Sequence, residues 1–298
     1  MTQPRPLLIA GATGYGAWPA NTLEGGLRCL QAPVDGIEID VQLTADGHVV
    51  AHHDYRLAPD QTRLDGAWLD APGAPIKAMT LQDLRRYDVG RARPGSEAAA
   101  RYPAKIEIDG ARVPTLPQLL EALNAAPGPR RMLYVEIKTD PRPGRDDAPA
   151  PDLVVDAVLR DLAAADYLEP AKIIAFDWKV LRLTRDRAPT LRTAHLTITT
   201  PATRDPDRPP SPWNDGADPR DHGGSDLAAI KAHGGLEWSP YYTDVTAERM
   251  AEARELGLLV GPWGISSGDD IRRMAQFGVY SSTVSGADWG LSNGGSIS

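Results

Sequence analysis

Short apolar segments rich in β-branched residues alternate with longer helical patterns along most of this chain, and this alternation constrains the fold more than any other feature. The strand candidates are Leu7–Ala10, Gly36–Val41, His48–Ala51, Met132–Ile137, Lys172–Phe176, Arg192–Thr197, Gly235–Trp238, Leu258–Gly261 and Gly278–Val284. Several are apolar nearly throughout, which is typical of parallel strands that helices cover. Over 298 residues, the repeated β-α order favours an α/β fold of the (β/α)8 TIM-barrel type over an open doubly wound sheet.

Helical patterns follow the strand candidates, and two long segments interrupt the alternation. The helix candidates are Thr22–Gln31, Leu116–Ala125, Pro151–Ala164, Phe176–Arg187, Ser225–Ala232, Thr246–Leu256 and Asp269–Gln276. Residues 55–113 are polar and punctuated by Gly and Pro, which predicts a small insertion subdomain within one barrel domain that spans residues 1–298. Residues 199–224 hold many Pro and Asp residues around Trp213 and predict a long loop on the functional face of the barrel.

Net charge and cysteine content exclude several classes of protein. The formal net charge of −8 disfavours nonspecific binding to nucleic acid and to an anionic membrane surface. The single cysteine, Cys29, excludes an internal disulfide framework and a cysteine-rich zinc site. No apolar run approaches the roughly 20 residues that a membrane-spanning helix needs, and the N-terminus lacks an apolar signal-peptide region. We therefore expect a soluble, cytoplasmic protein without a membrane span or a nucleic-acid partner.

Paired acidic residues on the second strand candidate indicate a metal site. Glu38 and Asp40 lie two residues apart in a strand, so both side chains face one side, while Ile37 and Ile39 face the other. Two carboxylates directed into a barrel repel each other unless a cation lies between them, and hard divalent ions such as Mg²⁺ or Ca²⁺ prefer oxygen ligands. Salt-bridged acids on an exposed strand are the alternative explanation at this point.

A later strand candidate repeats this arrangement. After Met132–Ile137, Lys138 faces the same side as Glu136, which is a candidate third oxygen ligand. A lysine beside a metal site suggests that the substrate carries an anionic oxygen, such as that of a phosphate. An ordinary Glu–Lys surface pair is the alternative.

Two histidines and an acid, His52, His53 and Asp54, follow the strand candidate His48–Ala51. A histidine at a strand end near a metal and a phosphate can act as a general acid or base. As an isolated feature, a histidine in this position is more often an ordinary turn residue. His195, at another predicted strand end, is a weaker candidate.

Short motifs that occur in a characteristic order connect these segments over nearly the whole chain. They are Trp18–Leu23, Asp35–Val41, Leu43–Gly47, His53–Asp54 with Leu57, Val113–Leu116, Val135–Lys138, Phe176–Trp178 and Gly261–Trp263. Taken together they resemble the glycerophosphodiester phosphodiesterase family. The resemblance implies a (β/α)8 barrel with a small inserted subdomain, and metal-dependent hydrolysis of a phosphodiester such as a glycerophosphodiester.

The resemblance also implies a role for each candidate residue. Glu38, Asp40 and Glu136 would hold Mg²⁺ or Ca²⁺, and the ion would stabilise the transition-state charge on the phosphoryl oxygens. Lys138 would pair with the phosphate. His53 would be one of two histidines that exchange protons with the attacking and leaving oxygens. The implied pocket walls are Phe176 and Trp263.

The sequence departs from this family at the mouth of the predicted barrel. Where the family has His-Arg-Gly after its first strand, residues 11–13 are Gly, Ala and Thr, so the second histidine and a phosphate-binding arginine are absent. Ala20 replaces an acid, Gly25 and Gly26 occupy a helix that usually carries a phenylalanine, and residues 280–285 replace the last-strand motif. We expect impaired hydrolysis, because a missing proton-transfer group lowers the rate by about 10²–10⁴-fold.

Two further functions are compatible with the same segments. The altered mouth is compatible with a non-catalytic barrel that is repurposed to bind another small ligand. The segment Gly11–Gly16 follows a strand and resembles the glycine-rich turn of dinucleotide-binding folds, with Asp40 at the end of the next strand, which would make the chain an oxidoreductase. Two observations favour the phosphodiesterase interpretation. The glycine spacing fits the dinucleotide-binding turn imperfectly, and the motif around Glu136 and Lys138 has no role in a dinucleotide site.

Overall fold

Parallel strands form a nearly closed barrel, and the helices between them cover its outer surface. The computed structural model describes residues 5–199 and 211–286. Within these residues the strands are β1 (Leu7–Ala10), β2 (Gly36–Leu43), β3 (Val49–Ala51), β4 (Arg63–Leu64), β5 (Ala67–Trp68), β6 (Tyr87–Asp88), β7 (Met132–Ile137), β8 (Ala171–Ala175), β9 (Arg192–Thr197), β10 (Glu237–Pro240), β11 (Leu259–Val260) and β12 (Ser281–Val284). The helices are α1 (Leu23–Cys29), α2 (Leu81–Leu84), α3 (Glu97–Arg101), α4 (Leu116–Ala125), α5 (Pro151–Ala164), α6 (Trp178–Arg187), α7 (Asp226–Ala232), α8 (Ala247–Glu255) and α9 (Gly268–Phe277).

The barrel strands follow the order β11–β10–β9–β8–β7–β2–β1–β12, and each neighbouring pair along this path is parallel. Backbone hydrogen bonds close the gap between the two ends of the path. The Tyr280 N–H donates to the Val260 carbonyl at 2.7 Å, and the Thr283 N–H donates to the Pro262 carbonyl at 2.9 Å. The predicted (β/α)8 TIM barrel is confirmed, and the carboxyl ends of its strands meet at one mouth.

Alternation along the strands separates the apolar core from the barrel interior. In β2, Ile37, Ile39 and Val41 are buried in one apolar cluster with residues of α4 and α5. Glu38 and Asp40, at the intervening positions, line a cavity inside the barrel. This two-residue period places apolar side chains beneath the helices and acidic side chains in the mouth.

Threonine caps set the starts of several helices. The Thr22 hydroxyl accepts a hydrogen bond from the Gly25 N–H at 3.1 Å at the start of α1, and Thr246 caps α8 in the same way. Thr115 and Gln118 form a reciprocal capping box at α4. Such side chains satisfy N–H groups that have no partner within the helix. Within the described residues, no helix combines the length and apolarity needed to cross a membrane.

Residues 55–113, called here the 55–113 segment, lie between β3 and α4 and surround a separate apolar cluster. They contain the antiparallel sheet β5–β4–β6 and the short helices α2 and α3. Leu57, Ile76 and Leu84 are fully buried in this cluster and pack with Val50 of β3. The segment is therefore held to the barrel by apolar contacts.

Part of the predicted loop 199–224 is also described, although residues 200–210 lie outside the described residues. Pro212–Asn214 and Pro219–His222 form short 3-10 helices. Trp213 is buried in an apolar cluster at the barrel mouth with Phe176 and Leu196.

Candidate active site

Three buried carboxylates meet inside the barrel mouth. Glu38 and Asp40 come from alternate positions of β2, and strand pairing places Asp40 directly beside Glu136 of β7. One carboxylate oxygen from each residue lies within 4.8 Å of the other two. None of the three side chains lies on an exposed surface. The structure therefore brings together the three residues that the sequence offered as metal ligands, which we call the carboxylate cluster.

Lys138 and Asn21 hold the carboxylate cluster in place. The Lys138 ammonium donates to Asp40 Oδ1 at 2.8 Å and to Glu136 Oε1 at 2.5 Å. Asn21 Nδ2 donates to Asp40 Oδ2 at 2.8 Å, and Asn21 Oδ1 accepts from the Asp40 backbone N–H at 3.0 Å. Asn21 has a φ of 53°, in the left-handed region that asparagine adopts more readily than most residues. Both carboxylate oxygens of Asp40 therefore have a donor.

Burial and proximity couple the charges of these groups. Burial raises the pKa of Glu38 well above its ordinary value, and the carboxylates of Asp40 and Glu136 raise it further. Burial also acts to raise the pKa of Asp40, but the Lys138 ammonium outweighs this effect and the pKa lies below its ordinary value. Burial acts to lower the pKa of Lys138, but Asp40 and Glu136 overcome it and raise that pKa. Asp40 and Lys138 are therefore a charged pair, and a further cation would favour ionisation of Glu38.

Glu38 has one oxygen with a partner and one without. Its Oε2 accepts a hydrogen bond from the Ala12 N–H at 2.7 Å, whereas Oε1 is buried and has no hydrogen-bond partner among the residues described. Three carboxylates and one ammonium have a formal charge of −3 + 1 = −2 when all four groups are ionised. A divalent cation that prefers oxygen ligands fits both the unpartnered oxygen and the excess charge.

His53 lies at the rim of the same cavity. Its side chain is 54 % exposed, and its Nδ1 lies 2.7 Å from Oδ1 of Asp54. Gln42 of β2 donates to the Asp54 carbonyl at 2.5 Å, and the His52 N–H donates to the Asp40 carbonyl at 2.9 Å. The loop after β3 is thus tied to the strand that carries Glu38 and Asp40, which places His53 beside the carboxylate cluster.

Aromatic residues form a wall of the cavity. Phe176 follows β8 and Trp263 follows β11, and their ring centroids lie 5.6 Å apart with the planes perpendicular. Trp213 and Tyr241 extend this wall, at 6.5 Å from Phe176 and 5.0 Å from Trp263 respectively. The Trp263 Nε1–H is buried without a hydrogen-bond partner in the described part of the chain. The wall is therefore largely apolar.

The start of the loop after β1 has an unusual backbone and carries no group that titrates near neutral pH. Gly11–Thr13 form one 3-10 turn, in which Ala12 and Thr13 have φ values of 43° and 58°. A Cβ atom at Gly11 would lie 3.2 Å from Thr283 Cγ2 and 3.3 Å from Tyr15 Cε1. Tyr15 and Thr283 thus close the space beside Gly11.

The 55–113 segment covers part of the mouth. Together with the barrel it borders a cavity of about 1140 Å³. The predicted metal ligands, His53, Lys138 and the two predicted pocket walls line this cavity, whereas the weaker candidate His195 is buried elsewhere beside His233. Arg101, Tyr102 and Lys105 of this segment also line the cavity. These three residues were not predicted from the sequence, because no local pattern shows which part of a long insertion folds over a barrel. Asn21 was recognised only as part of a motif, without a role.

Comparison with known proteins identifies a family with this architecture. The sequence profile of the glycerophosphoryl diester phosphodiesterase family matches residues 11–282. The chain belongs to this family. Membership confirms the resemblance seen in the motifs, and it connects the buried carboxylate cluster to a family of phosphodiesterases.

Two bacterial members of the glycerophosphodiester phosphodiesterase family are similar in sequence to this chain over most of their length. The glycerophosphodiester phosphodiesterase of Caldanaerobacter subterraneus subsp. tengcongensis is 25 % identical over 264 residues, which cover 88 % of this chain and 86 % of that protein. The glycerophosphodiester phosphodiesterase of Bacillus subtilis is 25 % identical over 286 residues, which cover 94 % of this chain and 83 % of that protein.

Solved structures of this family share the barrel. A putative glycerophosphoryl diester phosphodiesterase from Silicibacter pomeroyi has a TM-score of 0.81 at 33 % identity, covering 94 % of this chain and 90 % of that chain. A phosphodiesterase from Oleispira antarctica, whose structure contains the product sn-glycerol-3-phosphate, has a TM-score of 0.66 at 17 % identity, covering 95 % and 94 % of the two chains. The second likeness concerns the fold alone.

Proposed function

We propose that this chain is a metal-dependent hydrolase of glycerophosphodiesters with a reduced catalytic rate. The observation that carries the proposal is the buried carboxylate cluster, with its excess negative charge and the unpartnered Glu38 Oε1, at the floor of a cavity. Glu38, Asp40 and Glu136 are the proposed ligands of Mg²⁺ or Ca²⁺. A bound ion of this kind supplies positive charge next to the phosphoryl oxygens.

The chain's own residues have distinct proposed roles around the phosphoryl group. Lys138 binds a phosphoryl oxygen, favours the ionised form of Asp40, and holds the Asp40 and Glu136 carboxylates in position. His53 exchanges a proton with the attacking or leaving oxygen, because it is solvent-accessible at the rim and its Nδ1 is oriented by Asp54. Phe176 and Trp263 pack against the organic part of the substrate and exclude water from that side of the cavity.

The proposed rate reduction follows from the loop after β1. Hydrolysis of a phosphodiester needs one group to accept a proton from water and one to donate a proton to the leaving alcohol. The side chains at Gly11, Ala12 and Thr13 offer no such group near neutral pH. One missing group corresponds to a loss of about 10²–10⁴-fold in rate.

An assay of the purified chain with glycerophosphocholine, in the presence of Mg²⁺ or Ca²⁺, tests this proposal. We expect slow, metal-dependent release of sn-glycerol-3-phosphate that Glu38→Gln abolishes. Turnover at an ordinary enzymatic rate, on the order of 10 per second, contradicts the impairment. Turnover that survives a chelator and the Glu38→Gln substitution contradicts the metal-dependent mechanism.

A non-catalytic barrel that binds another small ligand is the second candidate, and the absence of a titrating group at residues 11–13 favours it. Under this function the acidic residues are vestigial, so a variant lacking the carboxylates of Glu38 and Asp40 should bind the ligand normally. The dinucleotide-dependent oxidoreductase stays a prediction, and a titration with NADH or NADPH that shows no change in fluorescence would eliminate it.

A further inference from the structure

The positively charged side chains that line the cavity differ in whether a carboxylate neutralises them. Lys138 is paired within the carboxylate cluster, and Arg91 donates to both oxygens of Asp109 and to Glu107. Within residues 5–199 and 211–286, neither Arg101 nor Lys105 has a carboxylate at ion-pairing distance. Two cations of the 55–113 segment therefore line the cavity without an ion pair to any described carboxylate.

The part of the 55–113 segment that carries these cations is docked on the loop after β1. The Tyr15 and Tyr102 rings meet edge to face, with centroids 5.5 Å apart. The Ile106 N–H donates to the Ala17 carbonyl at 2.9 Å. Residues 11–18 of that loop contain no charged side chain. Positive charge at this side of the mouth therefore comes from the docked segment rather than from the barrel.

Arg101 lines the cavity and lies close enough to two tyrosines to affect the pKa of each. Burial and Tyr102 raise the pKa of Tyr15, the Glu38 carboxylate raises it slightly further, and Arg101 acts in the opposite direction. Burial and Tyr242 raise the pKa of Tyr241, and Arg101 again opposes the increase. Since Tyr15 lies on the loop after β1 and Tyr241 follows β10, Arg101 lies within electrostatic range of two separate parts of the mouth.

Lys105 is half-buried, which makes an unneutralised charge unfavourable. Burial lowers its pKa, and Glu107 offsets the decrease only in part. An anion in the cavity would favour the charged form of Lys105 and would interact strongly with it, because the surroundings contain less water than the protein surface.

We propose that Lys105 and Arg101 bind the phosphoryl group of the substrate from the side of the 55–113 segment. This inference rests on the proposed function, since it assumes that the cavity receives a phosphodiester. A cation held by the carboxylate cluster would bind the phosphoryl group from the floor of the barrel, and Lys105 and Arg101 would neutralise its remaining oxygens. The 55–113 segment is then part of the substrate site rather than a structural cover.

Binding of sn-glycerol-3-phosphate in the presence of Mg²⁺, measured by titration calorimetry at low ionic strength, tests this assignment. Lys105→Met and Arg101→Met should each weaken binding about tenfold or more, because each removes a charge-assisted contact. Lys105→Arg should retain affinity to within about threefold, since it preserves the charge. Lys231→Met and Arg28→Met remove exposed cations of α7 and α1 that do not line the cavity, and they should leave binding unchanged.

Steady-state hydrolysis separates this proposal from the proposed function. If the wild-type chain hydrolyses glycerophosphocholine, Lys105→Met should raise KM by about tenfold with a smaller effect on kcat. If the wild-type chain binds sn-glycerol-3-phosphate without hydrolysing any diester, the proposed function fails, and loss of binding in Lys105→Met still supports the cation site. Unchanged binding in both Lys105→Met and Arg101→Met, with unaltered thermal midpoints, overturns the cation site whatever the activity. Equal loss in Lys231→Met also overturns it.

Discussion

Replacing Gly25 with alanine would force α1 away from the loop that follows β1. A Cβ atom at Gly25 would lie 2.8 Å from Thr13 Oγ1 and 2.9 Å from the Pro19 carbonyl oxygen, closer than carbon and oxygen atoms normally approach. At the adjacent Gly26, the nearest atoms are Leu119 Cδ2 at 3.4 Å and Thr13 Cγ2 at 3.9 Å. Both glycines are buried in α1 without positive φ, so the two positions differ in available space rather than in backbone conformation.

The obstructing atoms at Gly25 are themselves held by hydrogen bonds. The Thr22 hydroxyl donates to the Pro19 carbonyl at 2.7 Å, and Thr13 Oγ1 accepts from the Thr22 N–H at 3.4 Å. We expect overpacking strain of about 1–3 kcal/mol, against a gain of roughly 0.5–1 kcal/mol from replacing a glycine within a helix. Gly25→Ala should therefore lower the free energy of unfolding by up to about 2.5 kcal/mol. Gly26→Ala should leave it unchanged or raise it by up to about 1 kcal/mol.

Urea denaturation followed by tryptophan fluorescence, with wild type and both variants compared in parallel, measures this difference. The two variants are isomers that differ by one position, so effects of composition and of the unfolded chain largely cancel. Destabilisation of similar size in both variants, or a higher stability of Gly25→Ala, would refute the steric argument. The same loop carries the Ala12 N–H, which donates a hydrogen bond to Glu38. Displacement of this loop by Gly25→Ala should therefore also weaken Mg²⁺ binding, whereas Gly26→Ala should not affect it.

Three further predictions concern the site and the pH dependence of stability. Glu38→Gln should remove any rise in thermal midpoint on addition of Mg²⁺ or Ca²⁺, because it neutralises the carboxylate with the unpartnered Oε1; a rise that persists contradicts the proposed ligand set. Asn21→Ala should lower the affinity for the ion about 10–100-fold, measured by calorimetry, since Asn21 orients Asp40 through two hydrogen bonds. Burial, with His233 nearby, lowers the pKa of His195 well below its ordinary value, so below pH ~6.5 the unfolded chain binds a proton that the folded chain does not. In this range the free energy of unfolding should decrease as the pH is lowered, by up to about 1.4 kcal/mol per pH unit for this group. His195→Gln should reduce this dependence of stability on pH, and an unchanged dependence would assign it to other groups.

Much of the site's floor was predictable because it depends on local periodicity. The two-residue repeat of β2 alone places Glu38 and Asp40 on one face, whatever the rest of the chain does. The same repeat applies to Glu136 and Lys138, which is why the sequence offered both as members of one site. The parallel pairing of β2 with β7, in the observed register, then brings the acidic residues of the two strands together.

The geometry around the floor was not predictable in the same way. Asn21 lies on a loop with a left-handed conformation, and nothing in its neighbours along the chain indicates that it holds Asp40 with two hydrogen bonds. From the sequence, Gly25 is only a residue with low helix propensity. The structure shows why a glycine lies there, because the close approach of Thr13 and Pro19 leaves no space for a side chain.

The sequence by itself determined the barrel, the order of its strands and helices, and the acidic face of β2, because these features follow from repeats of two and 3.6 residues along the chain. The tertiary structure decided which charged groups of the site have a partner of opposite charge and which do not. It placed the Lys138 ammonium between Asp40 and Glu136. Among the described residues, it also left Glu38 Oε1 without a hydrogen-bond partner and brought Lys105 to the cavity with no carboxylate at ion-pairing distance. These contacts join residues far apart in the chain, so they depend on strand register and on how the 55–113 segment docks, which no local pattern encodes.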